Sequence, residues 1–324
     1  MNINLSKLLQ LRLNIFLYLT LGWGTARMYI FMLGKLYFFF NRAEKKRIKT
    51  AISNVIVKSN PEIDINTMTK NVLRGILAHY YEKFFIAFET PKNAGIFLKK
   101  YIIADNLKIL EEKLAKGNGV IIITGHYGAI EYIPTLLAVN KYPVSMIAKF
   151  KTEKLKKMIF YRAEQYGIHM IDAANTGNVI RDAINELRKN RILVTECDEI
   201  EEWRPSEKEK TAFLGKETAL DRTINIIQKR TGAEIIFGII HRYNMNKYKL
   251  IMYTHEDMLQ ILHAIKPSSS GETVLKFLER CIYCHPEQWY QWKNYTKIKT
   301  LPASNAKDGN QTSLPLLKPA FGKI

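Results

Sequence analysis

Gly117-Asn118-Gly119-Val120-Ile121-Ile122-Ile123-Thr124-Gly125-His126-Tyr127-Gly128-Ala129-Ile130-Glu131 is the stretch on which the fold turns. A glycine-rich turn opens it. Four apolar β-branched residues follow without a polar interruption, the pattern of a parallel strand buried on both faces. Ala129 to Val139 then reads as a helix. In open α/β sheets, sites gather outside the carboxyl ends of the strands. His126 stands at such an end, in a glycine-flanked turn, and an imidazole there suits general-base chemistry near neutral pH. Such a base needs a carboxylate to hold its ring, and Glu131 is the candidate. On a regular helix five residues turn about 500°, leaving the pair about 140° apart. His126 is therefore expected in the turn before the helix, with Gly125 and Gly128 permitting the bend. H-x4-E alone recurs by chance; its position after the strand gives it weight.

Outward from this centre, strands are expected at Val144 to Ala148, His169 to Ile171, Ile192 to Val194 and Ile235 to Ile240. Helices are expected at Leu155 to Tyr166, Asn178 to Lys189 and Arg222 to Thr231. Strands alternating with helices predict an α/β domain with a mostly parallel central sheet flanked by helices. Residues 44–115 read as largely helical, broken at Asn60-Pro61 and Pro91-Lys92-Asn93. The chain divides into an anchor with a basic flank (1–43), the α/β domain (44–300) and a loose tail (301–324).

Leu13 to Phe40 is mostly apolar, interrupted by Arg27 and Lys35, and the basic run Asn41 to Lys49 follows. An apolar segment beside a basic cluster predicts attachment to an anionic membrane surface, either spanning or lying in the interface. The net charge of +19 over 324 residues agrees with an anionic partner. No nucleic-acid reader motif accompanies it, so nucleic acid is not expected. The three cysteines, Cys197, Cys281 and Cys284, do not make a disulfide framework and imply a reducing compartment. Cys281-x-x-Cys284 lacks a second ligand pair, so neither metal nor cofactor is expected.

Gly125-His126-x4-Glu131 resembles the catalytic block of the bacterial lipid A biosynthesis (late) acyltransferases, within the lysophospholipid acyltransferase superfamily. Further blocks agree in order. Leu33-Gly34-Lys35-Leu36-Tyr37 looks like the end of the family's N-terminal anchor. Arg162 ahead of Tyr166-Gly167 looks like its arginine before a glycine turn. Glu196-Cys197-Asp198 stands in the place of a D-x-D, and Phe213-Leu214-Gly215-Lys216-Glu217-Thr218-Ala219 is similar to an F-F-G block. His285-Pro286-Glu287-Gln288-Trp289-Tyr290-Gln291-Trp292 resembles the C-terminal P-E-Q-W segment. The likeness runs from about residue 10 to about residue 295. It departs at Ile130, where the family usually has Trp, at Glu196, and over the charged stretch Ile200 to Thr211 with Trp203-Arg204-Pro205.

The resemblance implies an O-acyltransferase at the cytoplasmic face of a bacterial inner membrane. The donor would be acyl carrier protein or acyl-CoA, and the acceptor a glycolipid, most naturally a lipid A precursor. His126 would act as base and Glu131 as its orienter. Arg162, Asp198, Glu196, Lys149 and Gly215 are the candidate substrate-binding residues. Each also has a plain structural reading: a surface cation, a turn residue, a loop glycine. Lys149, Lys151, Lys154, Lys156 and Lys157 read as either a solvated helix face or a cradle for phosphate or an acidic carrier. Pro286 to Trp289 reads as packing. Two alternatives stay open: acylation of another membrane lipid (an inositol mannoside or an aminolipid), and a catalytically degenerate membrane-surface binding protein.

Overall fold

The computed structural model describes residues 5–150, 152–175, 177–199, 205–244 and 246–301, without the side chains of 205–208. Lys151, Trp203, Arg204 and the tail beyond Leu301 lie outside the described residues.

Among the described residues, nine strands form two sheets. They are β1 (Ile102–Ile103), β2 (Val120–Thr124), β3 (Val144–Ala148), β4 (His169–Asp172), β5 (Ile192–Glu196), β6 (Pro205–Phe213), β7 (Lys216–Asp221), β8 (Glu234–Asn244) and β9 (Lys247–Thr254). The main sheet has the order β1-β9-β8-β2-β5-β3-β4, and β6-β7 is a separate antiparallel hairpin. β8, β2, β5, β3 and β4 are parallel; β9 runs back against β8 and carries β1 at the edge.

The opening stretch fixes the middle of this sheet. All five residues of β2 are buried, with Ile121 and Ile123 joining the core on one face and Val120 and Ile122 the core on the other. That alternation is the period of two of a strand covered on both sides. The helices Val179–Arg188, Thr223–Thr231 and Ser270–Cys284 supply Leu187, Ile227 and Leu278 to the first core. Pro91–Tyr101 and Ile133–Val139 supply Leu98 and Leu137 to the second. The long helix Ile65–Phe88 feeds both, through Phe84 on one side and Phe85 on the other. The expected mixed α/β class, with a mostly parallel central sheet, is what the chain adopts.

Two expectations are corrected. The helix expected from Ala129 to Val139 is a tight turn at Ile130–Tyr132 followed by a helix at Ile133–Val139. Pro134 stands in that helix's first turn, where its missing N–H and fixed φ start a helix rather than continue one. The N-terminal apolar run is not one spanning helix. It breaks at Gly22 (φ +72°) into Arg12–Thr20 and Gly22–Phe40, and among the described residues no helix is long and apolar enough to cross a membrane. Arg27 turns inward instead, its guanidinium 5.0 Å from the centre of the Tyr81 ring and its Nη1 3.3 Å from Asn246 Oδ1. The other face of the same two helices carries a row of exposed apolar side chains, among them Leu13, Phe16, Met28, Met32 and Phe40.

Candidate active site

β2 and β5 are neighbours in register, with Thr124 opposite Glu196 at their carboxyl ends. Just past those ends the two chains stay tied: Cys197 N donates to Thr124 O at 2.8 Å. This brings His126 and Asp198 together although 72 residues separate them. Asp198, fully buried, accepts from His126 N at 3.0 Å and from His126 Nδ1 at 2.9 Å. Trp289 Nε1 donates to its other carboxylate oxygen at 2.7 Å. A carboxylate that receives these donors is satisfied as an anion, and it leaves the Nδ1–H tautomer on His126.

The turn around His126 is clamped from two further directions. Gly128 N donates to Gln288 O at 2.9 Å, Ala129 N to Ile240 O at 2.9 Å, and Tyr290 N to His126 O at 3.1 Å. Gly128 has φ +59°, and a Cβ there would lie 2.0 Å from Ile240 O, so this position excludes a side chain. Arg242 Nη2 donates to Gly128 O at 2.9 Å, while its guanidinium grips the buried Glu82 at 2.7 and 2.8 Å.

The far ring nitrogen of His126 faces acids. Nε2 lies 3.2 Å from Glu199 Oε1 and 3.5 Å from Glu196 Oε2. Burial works against charge on the imidazole, but Glu196, Asp198 and Glu199 outweigh it and hold its pKa well above the ordinary value. Burial, together with the charges of Glu199 and Asp198, pushes Glu196 well up against the pull of His126. Glu199 moves down: its own burial opposes this, and the charge and hydrogen bond of His126 prevail. The two carboxyls of the cluster thus shift in opposite directions, Glu196 up and Glu199 down.

His126 opens onto a cleft whose empty space, open solvent included, is about 730 Å³. Its lining combines apolar side chains, Ile86, Pro134, Ile147, Ile159, Ile168 and Met170, with the charged Lys83, Glu131, Lys149, Arg162, Glu196 and Glu199, and with Tyr290.

Of the residues expected from sequence, His126, Glu131, Arg162, Asp198, Glu196 and Lys149 gather here, and Asp198 does so from behind the ring rather than in the wall. Gly215 does not. It forms the β6-β7 turn with Leu214, both at positive φ, and serves the hairpin. The carboxylate that meets His126 Nδ1 is Asp198 rather than Glu131. Glu131 accepts from Lys83 Nζ at 2.9 Å and lies 3.7 Å from His79 Nε2. The tight turn at Ile130–Tyr132 brings it against the Ile65–Phe88 helix, and Nδ1 of His126 is already taken. Arg162 lines the cleft while its Nη2 donates to Phe88 O at 3.2 Å, capping the end of that helix.

Sequence reading missed Lys83, Glu199, Trp289 and Tyr290 as site residues. Glu199 had a signal, as the third acid of Glu196-Cys197-Asp198-Glu199. Trp289 was read as packing, and only the fold shows its indole on Asp198. Nothing local marks Lys83, whose ammonium sits in the cleft against Glu131; burial works against its charge, and Glu131 raises its pKa nonetheless.

A protein-family model described as bacterial lipid A biosynthesis acyltransferase matches residues 9–294, a span that contains the whole cleft. The chain belongs to that family. Membership in this acyltransferase family makes the protein a transferase and supports acyl transfer on lipid A-like substrates. Compared with curated proteins, the chain matches none.

Proposed function

We propose that the chain moves a fatty acyl group from a thioester, carried by acyl carrier protein or coenzyme A, to a hydroxyl of a lipid A-type glycolipid. The observation that carries this reading is the imidazole of His126, held on Nδ1 by a buried carboxylate and lining a cleft that combines apolar and charged side chains. An acceptor hydroxyl displaces Glu199 from Nε2; the departing carboxylate carries off the Nε2 proton, and the imidazole so left neutral takes the hydroxyl proton as that oxygen attacks the thioester carbonyl. The tetrahedral oxyanion then collapses, the C–S bond breaks, and the imidazolium returns the proton to the departing thiolate. Asp198 holds the ring and stabilises the imidazolium. Lys83, kept cationic beside Glu131, supplies positive charge to the oxyanion or to a substrate phosphate. The apolar residues of the lining take the acyl chain.

The row of exposed apolar side chains on the two N-terminal helices, followed by the basic run Asn41 to Lys49, favours seating on an anionic bilayer as an interfacial rather than spanning element. The deciding experiment is acyl transfer to a lipid A precursor by wild type and His126→Ala. The expected result is turnover by the first and loss of about a thousandfold or more by the second. Undiminished transfer by the variant removes His126 from the mechanism.

A further inference from the structure

The three groups that face one another at the mouth of the cleft have the composition and spacing of a metal site. We propose that His126 Nε2, Glu196 and Glu199 together bind one divalent transition-metal ion of the zinc class, and that its binding switches acyl transfer off. Their ligand atoms all lie within 4.8 Å of one another, with separations of 3.2 and 3.5 Å from Nε2 to the two carboxylates. Zinc bonds to nitrogen and oxygen of about 2.0–2.1 Å set tetrahedral ligands about 3.3 Å apart. The two separations from Nε2 already match, and the third, within 4.8 Å, is met by drawing the two carboxylates together.

The surroundings agree. Metal-bound histidines hand their second nitrogen to a carboxylate that fixes ring and tautomer. Asp198 does so for Nδ1, and is itself fixed by Trp289. The three ligands also line the cleft, so the fourth position faces solvent and water completes the shell. One imidazole with two carboxylates suits a borderline ion such as Zn²⁺ better than Ca²⁺, which takes six to eight oxygens.

The regulatory half of the proposal rests on His126 being the base. A lone pair bound to metal cannot accept a proton, so occupancy stops catalysis without altering the fold. Binding itself does not depend on that reading, and the two can be separated.

The test uses the full chain in detergent, freed of metal with EDTA and titrated with ZnCl₂ by calorimetry, with Co²⁺ as a visible-band reporter. One ion per chain is expected. His126→Ala, Glu196→Gln and Glu199→Gln should each weaken binding at least about tenfold, and Cys281→Ser should leave it unchanged. Transfer by the wild-type chain should fall in step with zinc occupancy and return with EDTA. Absence of binding, or binding that ignores all three ligand variants, overturns the site even if His126→Ala is inactive. Binding at these residues with undiminished transfer at full occupancy overturns the switch and the base role of His126 together.

Discussion

The acid that serves the imidazole is decided by which carboxylate reaches Nδ1. Asp198 does so at 2.9 Å from a fully buried position, and Glu131 is committed to Lys83. The two acids should therefore separate by mutation. Asp198→Asn is expected to lower kcat by about 10³- to 10⁴-fold, because an amide can leave the ring in the wrong tautomer. Glu131→Gln should cost far less in kcat, since it alters how Lys83 is held. Steady-state kinetics of both variants checks this; equal losses would return Glu131 to the imidazole. At this scale the sequence exposed the acids but not their partners. Glu131 is five residues from His126 and Asp198 seventy-two, and proximity along the chain misled because the turn at Ile130–Tyr132 carries Glu131 away.

Among the elements, two ion clusters, each centred on a buried carboxylate, tie helices to the main sheet. Glu82 on the Ile65–Phe88 helix and Arg242 on β8 form a bidentate pair that also grips Gly128 O. Glu82→Gln or Arg242→Met alone leaves a buried charge without its partner and should destabilise by about 3–5 kcal/mol. Glu82→Leu with Arg242→Met should recover much of that loss in urea unfolding, though not the position of the turn around His126.

The second cluster ties the Val179–Arg188 helix to the sheet. Glu186 accepts from Ser145 Oγ and Lys189 Nζ and lies near Arg191 and His169. Burial would raise its pKa, but these partners hold it below the ordinary 4.5. The stability it contributes is thus fully present above 4.5 and lost as pH falls through the lower folded value. The urea midpoint of wild type should drop between about pH 6 and about pH 3 more steeply than that of Glu186→Gln. Parallel profiles would mean that other carboxylates carry the acid transition.

Across the whole molecule, charge and apolar surface are arranged together. The net charge is +19, and Met28 and Phe40 are three-quarters exposed on the N-terminal helices, with 75% and 74% of their surface open. Exposed apolar rows of this kind are unusual in a protein that meets only water. Phe16→Asp with Met32→Asp should weaken flotation with vesicles containing anionic lipid. The folded stability should stay within about 0.5 kcal/mol of wild type, since these side chains are outside the core. Unchanged flotation would place the membrane contact on another face.

The local pattern determined a great deal. Val120 to Ile123 pointed to a doubly covered strand because four successive apolar β-branched residues leave neither face for water, and the alternation after it pointed to a mostly parallel sheet. The glycines around His126 had to make a turn at that strand's end. Tertiary structure decided the rest. Parallel strands meet neighbours that are distant in the chain, so only the fold could set Asp198 behind His126, Lys83 against Glu131 and the Trp289 indole on Asp198. It also turned Arg27 inward onto Tyr81, so that a run read as a candidate span became two helices with one apolar face outward.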